Sequence, residues 1–458
     1  MVFPADFVGC RYKVVQHRRH GEIPRTHVGE ERHQRRLHLV ESIIARLPDP
    51  IIAGTWEETL ECMAAGHPLI VEPILTVDAY DLTLQPEALV RVGTAYAPLV
   101  ISTHQVLYPA PTARTRVIDT HRISLSTPVW GRYSPRHHTL DAYRLSLSAL
   151  ALAQVGMDAG VGYCVGQEET MAAVLDTQPL HEATIAALTR PLPQQPRRVK
   201  ECAAGCRYWH LCQPWLEAHD DISLVLPGGR ADHFRERGIT TVQGLIEADA
   251  GTPSRLARAW RDGAVALKKV PATQAPRFEV ELDIDLEAYQ GRGVYLWGTY
   301  DGHSYTPFVT WEELGGEAEA RNFAAFWEYL QDMHAGAVFC YANGGENHWL
   351  RRSAQRFAGK KGVPSVESVE RFIGSSQWID VFKLVKAQLV GPFGLGLKTV
   401  APLAGFTYEE ADVTGETSLE LYDAGERERL LRYNRDDCRA TAAVRHWLAT
   451  GAPNLRVL

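Results

Sequence analysis

From Arg277 to Glu287 the chain alternates without a break: apolar residues stand at 278, 280, 282, 284 and 286, and acids at 279, 281, 283, 285 and 287. A period of two predicts a β-strand with one apolar and one acidic face. Five carboxylates on one strand face repel each other. A solvated edge strand tolerates that repulsion, and a bound divalent cation removes it. The apolar run Val294–Tyr300 predicts a second strand. Ala337–Tyr341 reads as a buried strand that ends in a Gly344-Gly345 turn, with a helix starting near Glu346. An acid at such a corner can point back into a cleft above the sheet. Asp380 lies in a hydrophobic strand or helix start, Trp378–Phe382, and Lys398 is a lone cation in Gly396–Val400. The segment Leu431–Thr441 reads as a helix, on which Tyr433 and Asp437 lie four residues apart and share one face.

A carboxylate and a phenol facing one pocket suit hydrolysis: the carboxylate holds a cation and the phenol orients the attacking water. Strand D-x-E, an acid after a later strand, and Y-x-x-x-D on the last helix together resemble the DEDD exonucleases of the ribonuclease-H-like fold, in their Tyr-bearing subgroup. More closely, residues 277–458 look like the ribonuclease-H-like domain that bacteria fuse behind a RecB-type nuclease module. The run Tyr433-Asn434-Arg435-Asp436-Asp437-Cys438-Arg439-Ala440-Thr441, followed by Trp447-Leu448, carries the closer likeness. By this resemblance Asp285 and Glu287 are the D-x-E. Glu346 is the middle acid, where the wider superfamily has Asp. Asp437 is the last acid, and Tyr433 is the water-orienting phenol. A register shifted by two would make Asp283 with Asp285 the metal pair. Asp380, Lys398 and Asp436 are candidates for support. The resemblance implies a two-metal phosphodiesterase, and oxygen-rich ligation suits Mg²⁺ or Mn²⁺.

Four of the eight cysteines form a pattern: Cys10, then Cys202, Cys206 and Cys212. With no signal peptide or membrane span legible, the expected compartment is a reducing cytoplasm, which argues against disulfides. Closely spaced thiolates suit a soft metal centre, with zinc as the structural rival. One distant N-terminal Cys plus a later trio resembles iron–sulfur-capped RecB-type nucleases, in which a [4Fe–4S] cluster ties the start of the module to its end. The trio here is spaced x3 and x5, where x2 and x5 is commoner. Cys62, Cys164, Cys340 and Cys438 fit no spacing and read as small buried apolar residues.

The same resemblance implies a nuclease centre in the N-terminal module, and there the chain departs from the pattern. His33 fits the first element and Glu87 the second. Val100 and Ser102 stand where the Glu-x-Lys pair belongs, and no Gln occurs near Tyr143. The module therefore reads as a degenerate nuclease that binds nucleic acid without cutting it.

Length and charge set the frame. A chain of 458 residues accommodates about three domains. The expected organisation is α/β and multi-domain. Residues 1–214 form a RecB-type (restriction-endonuclease-like) module with an iron–sulfur cap. Residues 215–270 form a small helical insert resembling a helix-hairpin-helix, with Thr240 or Thr241 capping its second helix. Residues 277–458 form the ribonuclease-H-like domain, reached through a linker at Val270–Pro276. A net charge of −7 excludes non-specific coating of nucleic acid over the whole surface. Basic charge is local, from Gln16 to His38, where it would track a phosphate backbone or form a solvated amphipathic helix. The expected activity is a metal-dependent 3′→5′ exonuclease on single-stranded DNA, the polarity coming from the resemblance. An RNA-processing exonuclease and a non-catalytic nucleic-acid-binding protein are the alternatives.

Overall fold

The computed structural model describes residues 8–77, 82–203, 205–269, 278–289, 292–332, 336–413 and 417–458. The chain divides into two compact units, Met1–His233 and Phe234–Leu458. The division falls inside the segment that the sequence sets apart as an insert. The expected linker at Val270–Pro276 lies outside the described residues.

Unit 1 is built on an eight-stranded mixed sheet. Its strands lie in the order Ile51–Ile52, Leu69–Val71, Ala88–Val92, Ala95–Ile101, Val161–Val165, Met171–Asp176, Thr115–Asp119 and Val129–Gly131. Alternation along Ala95–Ile101 decides what each face meets. Leu99 and Ile101 pack with Ile43 of the helix His27–Ile44, while Val100 packs with Leu145 of the helix Thr139–Gln154. The basic N-terminal stretch is helical, as Tyr12–His20 and His27–Ile44.

Unit 2 opens with short helices. Gly238, at φ +80°, turns the chain between the helices Asp232–Glu236 and Val242–Glu247. Of the two threonines it is Thr241 that caps the second helix, accepting from the Gly244 N–H at 2.9 Å. A five-stranded sheet follows, in the order Tyr305–Val309, Gly293–Tyr300, Glu281–Tyr289, Ala337–Cys340 and Trp378–Asp380. Its first three strands are an antiparallel meander, and the last two pair in parallel.

The period-two reading of the first strand holds from residue 281 onward. Leu282 and Ile284 enter a core with Trp297, Phe323, Phe326 and Leu350. That core is sealed by the helices Glu317–Asp332 and Gly344–Arg356. Phe278 and Val280 do not join it: both are 37% exposed, because the strand begins only at Glu281. The opposite, acidic face is covered by the C-terminal helix Arg427–Ala449, whose Ala440, Val444 and Leu448 pack with Phe339 and Val385. Burying an acidic face under a helix needs local compensation for the charge, and that requirement defines the site.

Candidate metal-dependent active site

Two different devices neutralise the acidic strand face. At its N-terminal end Arg445 of the C-terminal helix grips Asp283 through Nε and Nη2, both at 2.8 Å, and also bonds Glu281. Asp283 is fully buried, and both its oxygens are engaged. Two residues on, Asp285 has no arginine partner among the described residues. Oxygens of Asp285, Glu287 and Asp437 come within 4.8 Å of one another, forming the one close group of potential metal ligands among the described residues. Asp283 stands outside that group, so the alternative register, Asp283 with Asp285, is not the pair that the fold gathers.

Each carboxylate has its own setting. Asp285 accepts from Asn434 Nδ2 at 2.8 Å. Glu287 accepts from Ser418 Oγ at 2.8 Å and lies 3.5 Å from the Tyr295 hydroxyl. Burial pushes its carboxyl up to about 8, with the charge of Asp437 adding to the rise. Burial likewise pushes Asp437 up to about 6, while Lys398 opposes the rise. Asp285 is raised by burial and then by Asp437, Glu287 and Glu346. All of these shifts run in the direction that favours protonated carboxyls when no cation is bound.

Glu346 lies in the first turn of the helix Gly344–Arg356, buried, and close enough for its charge to act on Asp285. Its Oε2 is buried with no hydrogen-bond partner. Burial, and then Asp380, push it up to about 7. Asp380 plays a different part: it caps the helix Val381–Gln388 and accepts from the Ala342 N–H at 3.1 Å. Ala342 has φ +69°, so Asp380 steadies the left-handed corner that precedes Glu346.

Tyr433 is buried beside the carboxylates, and burial followed by the charges of Glu287, Asp437 and Asp285 raises its phenol. The Lys398 ammonium lies 4.9 Å from the Tyr433 ring centre and 5.3 Å from that of Tyr408, and bonds the Val413 carbonyl. Asp436 faces away, accepting from the Glu409 N–H at 2.6 Å.

The largely buried acids, the orphaned Glu346 oxygen and the lack of an arginine at this end among the described residues fit a divalent cation. The all-oxygen donor set suits Mg²⁺ or Mn²⁺.

Three residues had no role in the sequence reading. Asn434 is held by the Tyr305 hydroxyl at 2.8 Å and passes its own N–H to Asp285. Ser418 fixes Glu287. Arg445 discharges Glu281 and Asp283. For Arg445 a signal existed: it stands eight residues, about two helical turns, after Asp437 and thus on the same helix face.

In unit 1, Cys10, Cys202, Cys206 and Cys212 line one small cavity, with Gln16 Nε2 donating to Cys212 Sγ at 3.2 Å. Burial raises the thiols of Cys10, Cys202 and Cys212, that of Cys202 to about 11. The four sulfurs do not form a group as close as the carboxylates do. Glu87 is buried, and its Oε1 accepts from both Arg36 and Arg144, the latter at 2.6 Å. Its Oε2 accepts from the Ile101 N–H at 2.8 Å. Val100 and Ser102 are fully buried.

Comparison with known families agrees with this geometry. Residues 282–449 match the model of the RNase_H superfamily. The chain therefore carries a C-terminal domain of the RNase H superfamily, a nuclease-type fold whose members typically use divalent metals, and the carboxylate cluster fits that use. No curated protein matches the chain. Among the described residues no helix is long and apolar enough to cross a membrane.

Proposed function

We propose that this protein is a metal-dependent 3′→5′ exonuclease acting on single-stranded DNA, with its active site in unit 2. The convergence of Asp285, Glu287 and Asp437, with the unpartnered Glu346 oxygen nearby, carries the reading. These four carboxylates would hold two divalent ions, which supply the charge that activates water and stabilises the departing 3′-oxygen. The chain's own contribution is positional. Asn434 and Ser418 fix one oxygen each of Asp285 and Glu287, leaving the others free to ligate. Tyr433 orients the attacking water, and Lys398 keeps a positive charge beside Asp437. The 3′→5′ sense follows the resemblance of the D-x-E and Y-x-x-x-D motifs, and a narrow acidic cleft favours a single strand over a duplex.

Cys10, Cys202, Cys206 and Cys212 would hold an iron–sulfur cluster, with zinc as the rival. Their shared cavity supports this. Unit 1 itself would not cut: Glu87 already carries two arginines where a RecB-type centre needs a cation.

The test digests 3′- and 5′-labelled single-stranded DNA and RNA with Mg²⁺ or Mn²⁺, and then with EDTA. Mononucleotides released from the 3′ end of DNA, abolished by EDTA, are expected. Equal or faster loss of RNA would make it an RNA-processing enzyme. No cleavage with either metal would leave a nucleic-acid-binding protein.

A further inference from the structure

The large sheet of unit 1 ends in an open edge. Its outermost strand, Val129–Gly131, pairs on one side only, with Thr115–Asp119. Trp130 stands on that edge strand and is 66% exposed. An indole left in water forgoes a large apolar burial. Among the described residues its ring stacks on no aromatic side chain and lies under no cation. The nearby Leu125 and Val129 are exposed as well.

The surroundings are cationic, in a chain whose net charge is −7. Residues 110–138 hold five arginines, at 114, 116, 122, 132 and 136, against one acid, Asp119. Arg116 is the direct register partner of Trp130, which sets the two side chains on one face of the sheet. Strand alternation turns Asp119 to the opposite face. Arg132 follows Trp130 by two residues and is exposed. Among the described residues the guanidiniums of Arg116 and Arg132 make no hydrogen bond and no ion pair. Arg136, by contrast, is engaged with the Tyr108 hydroxyl at 3.2 Å. Acids on the adjoining segments have partners of their own: Asp176 accepts from the Gln178 N–H at 3.2 Å, and Glu169 accepts from Ser42 and Arg46.

We propose that this edge of unit 1 binds single-stranded DNA, with a base stacking on Trp130 and phosphates meeting Arg116 and Arg132. An exposed ring beside uncommitted guanidiniums matches a single strand, which offers an unstacked π-face and an anionic backbone together. A duplex keeps its base faces inside its own stack. A peptide adding a strand to the edge is the rival occupant, and the edge opposes it. The strand has only three residues, and Pro128 before it has no N–H to donate. The choice of DNA over RNA rests on the exonuclease reading; the stacking itself does not.

The test uses the full chain carrying Asp437→Ala, with no divalent ion added, and reads the fluorescence anisotropy of a labelled oligothymidylate. Saturable binding is expected. Trp130→Ala should weaken it by about tenfold or more, the effect of losing one base–aromatic stack, and Trp130→Phe by less. An abasic strand of the same length should bind the parent and Trp130→Ala equally, which a merely structural role for Trp130 would not produce. Arg116→Gln and Arg132→Gln should each flatten the slope of log affinity against log salt by about 0.7, the share of one phosphate on a single strand. Circular dichroism should be unchanged in all four variants, since Trp130 and Arg132 are exposed and Arg116 is half-buried. Absence of saturable binding, or unchanged affinity in Trp130→Ala together with unchanged slopes in both arginine variants, would overturn the proposal. So would an equal loss with the abasic strand. Tighter binding of oligouridylate would assign the edge to RNA instead, and displacement of the DNA by polyglutamate at comparable concentration would assign it to an acidic protein segment. Cleavage by the unsubstituted chain is measured separately, so that failure of this surface and failure of the active-site reading stay distinguishable.

Discussion

Asn434 Oδ1 occupies the space above Gly298: a Cβ built at position 298 would stand 1.7 Å from it. Gly298 is the register partner of Asp285 on the neighbouring strand. The missing side chain thus opens the slot through which Asn434 reaches Asp285 across the sheet. Gly298→Ala should expel Asn434, and Asn434→Ala should release Asp285. Each should lower cleavage by about 10–100-fold, the usual effect of losing a partner that orients a metal ligand. The Mn²⁺ concentration for half-maximal activity should rise in both. A metal titration of activity reads this, and an unchanged half-maximal concentration would make the contact merely structural.

Losing a carboxylate of the cluster removes a ligand for ions that stabilise the transition state. Asp437→Ala or Asp285→Ala should cut turnover by about 10³-fold or more. Tyr433→Phe keeps the buried ring and drops one positioning contact, for a loss of roughly 10–100-fold. Single-stranded DNA should still bind all three variants in a gel-shift assay, since its affinity comes mainly from basic and aromatic contacts elsewhere. Full turnover in both alanine variants would end the exonuclease reading.

Arg445 and Asp283 form a buried pair, and breaking one side leaves a stranded charge. Arg445→Ala should destabilise unit 2 by about 3–5 kcal/mol, seen in thermal denaturation. Asp283→Asn keeps one of the two hydrogen bonds from the guanidinium, whose charge Glu281 still faces, and should leave Mn²⁺ affinity nearly unchanged in calorimetry. A collapse of that affinity would move Asp283 into the metal site.

The protonation of the cluster sets a pH dependence. Glu287, Glu346 and Asp437 stand at about 8, 7 and 6, above their ordinary values of 4.5, 4.5 and 3.8. From about pH 4 to 8 the folded, metal-free chain holds protons that the unfolded chain has released, so its stability falls as pH rises through that window. Divalent ions bound at the cluster would take the place of those protons. The rise in Tm on adding Mg²⁺ should therefore grow from pH 5 to pH 8, with proton release detectable by calorimetry in two buffers. A Tm rise that is flat with pH would contradict this.

Protein purified without oxygen should be brown, with broad absorption around 400 nm (roughly, as expected for thiolate-held iron–sulfur clusters). Cys10→Ser, Cys202→Ser, Cys206→Ser or Cys212→Ser should each bleach it. A colourless protein with one equivalent of zinc would decide for the rival.

The acidic strand was legible because strand geometry turns a period of two into two faces, and Tyr433 with Asp437 because four residues make about one helical turn. What each acid on that face does was not legible. Asp283 and Asp285 are the same residue type two positions apart. Only Arg445, 162 residues further along, separates a structural ion pair from the candidate site. Gly298 and Asn434 were invisible for the same reason: a glycine in a strand names no partner until the fold lays a helix across it. The strand start was misjudged because Phe278 and Val280 continue the alternation but stay 37% exposed, ahead of a strand that begins at Glu281.

Glu87, shared between Arg36 and Arg144, bears on any attempt to build a cutting centre in unit 1. A glutamate at Val100 or a lysine at Ser102 would place a lone charge in a fully buried position while both guanidiniums still hold Glu87. Each such step is destabilising by itself. Removing one arginine first loosens Glu87 without creating a ligand. A cutting centre here would therefore take concerted replacement at several of these positions, beyond the reach of single substitutions.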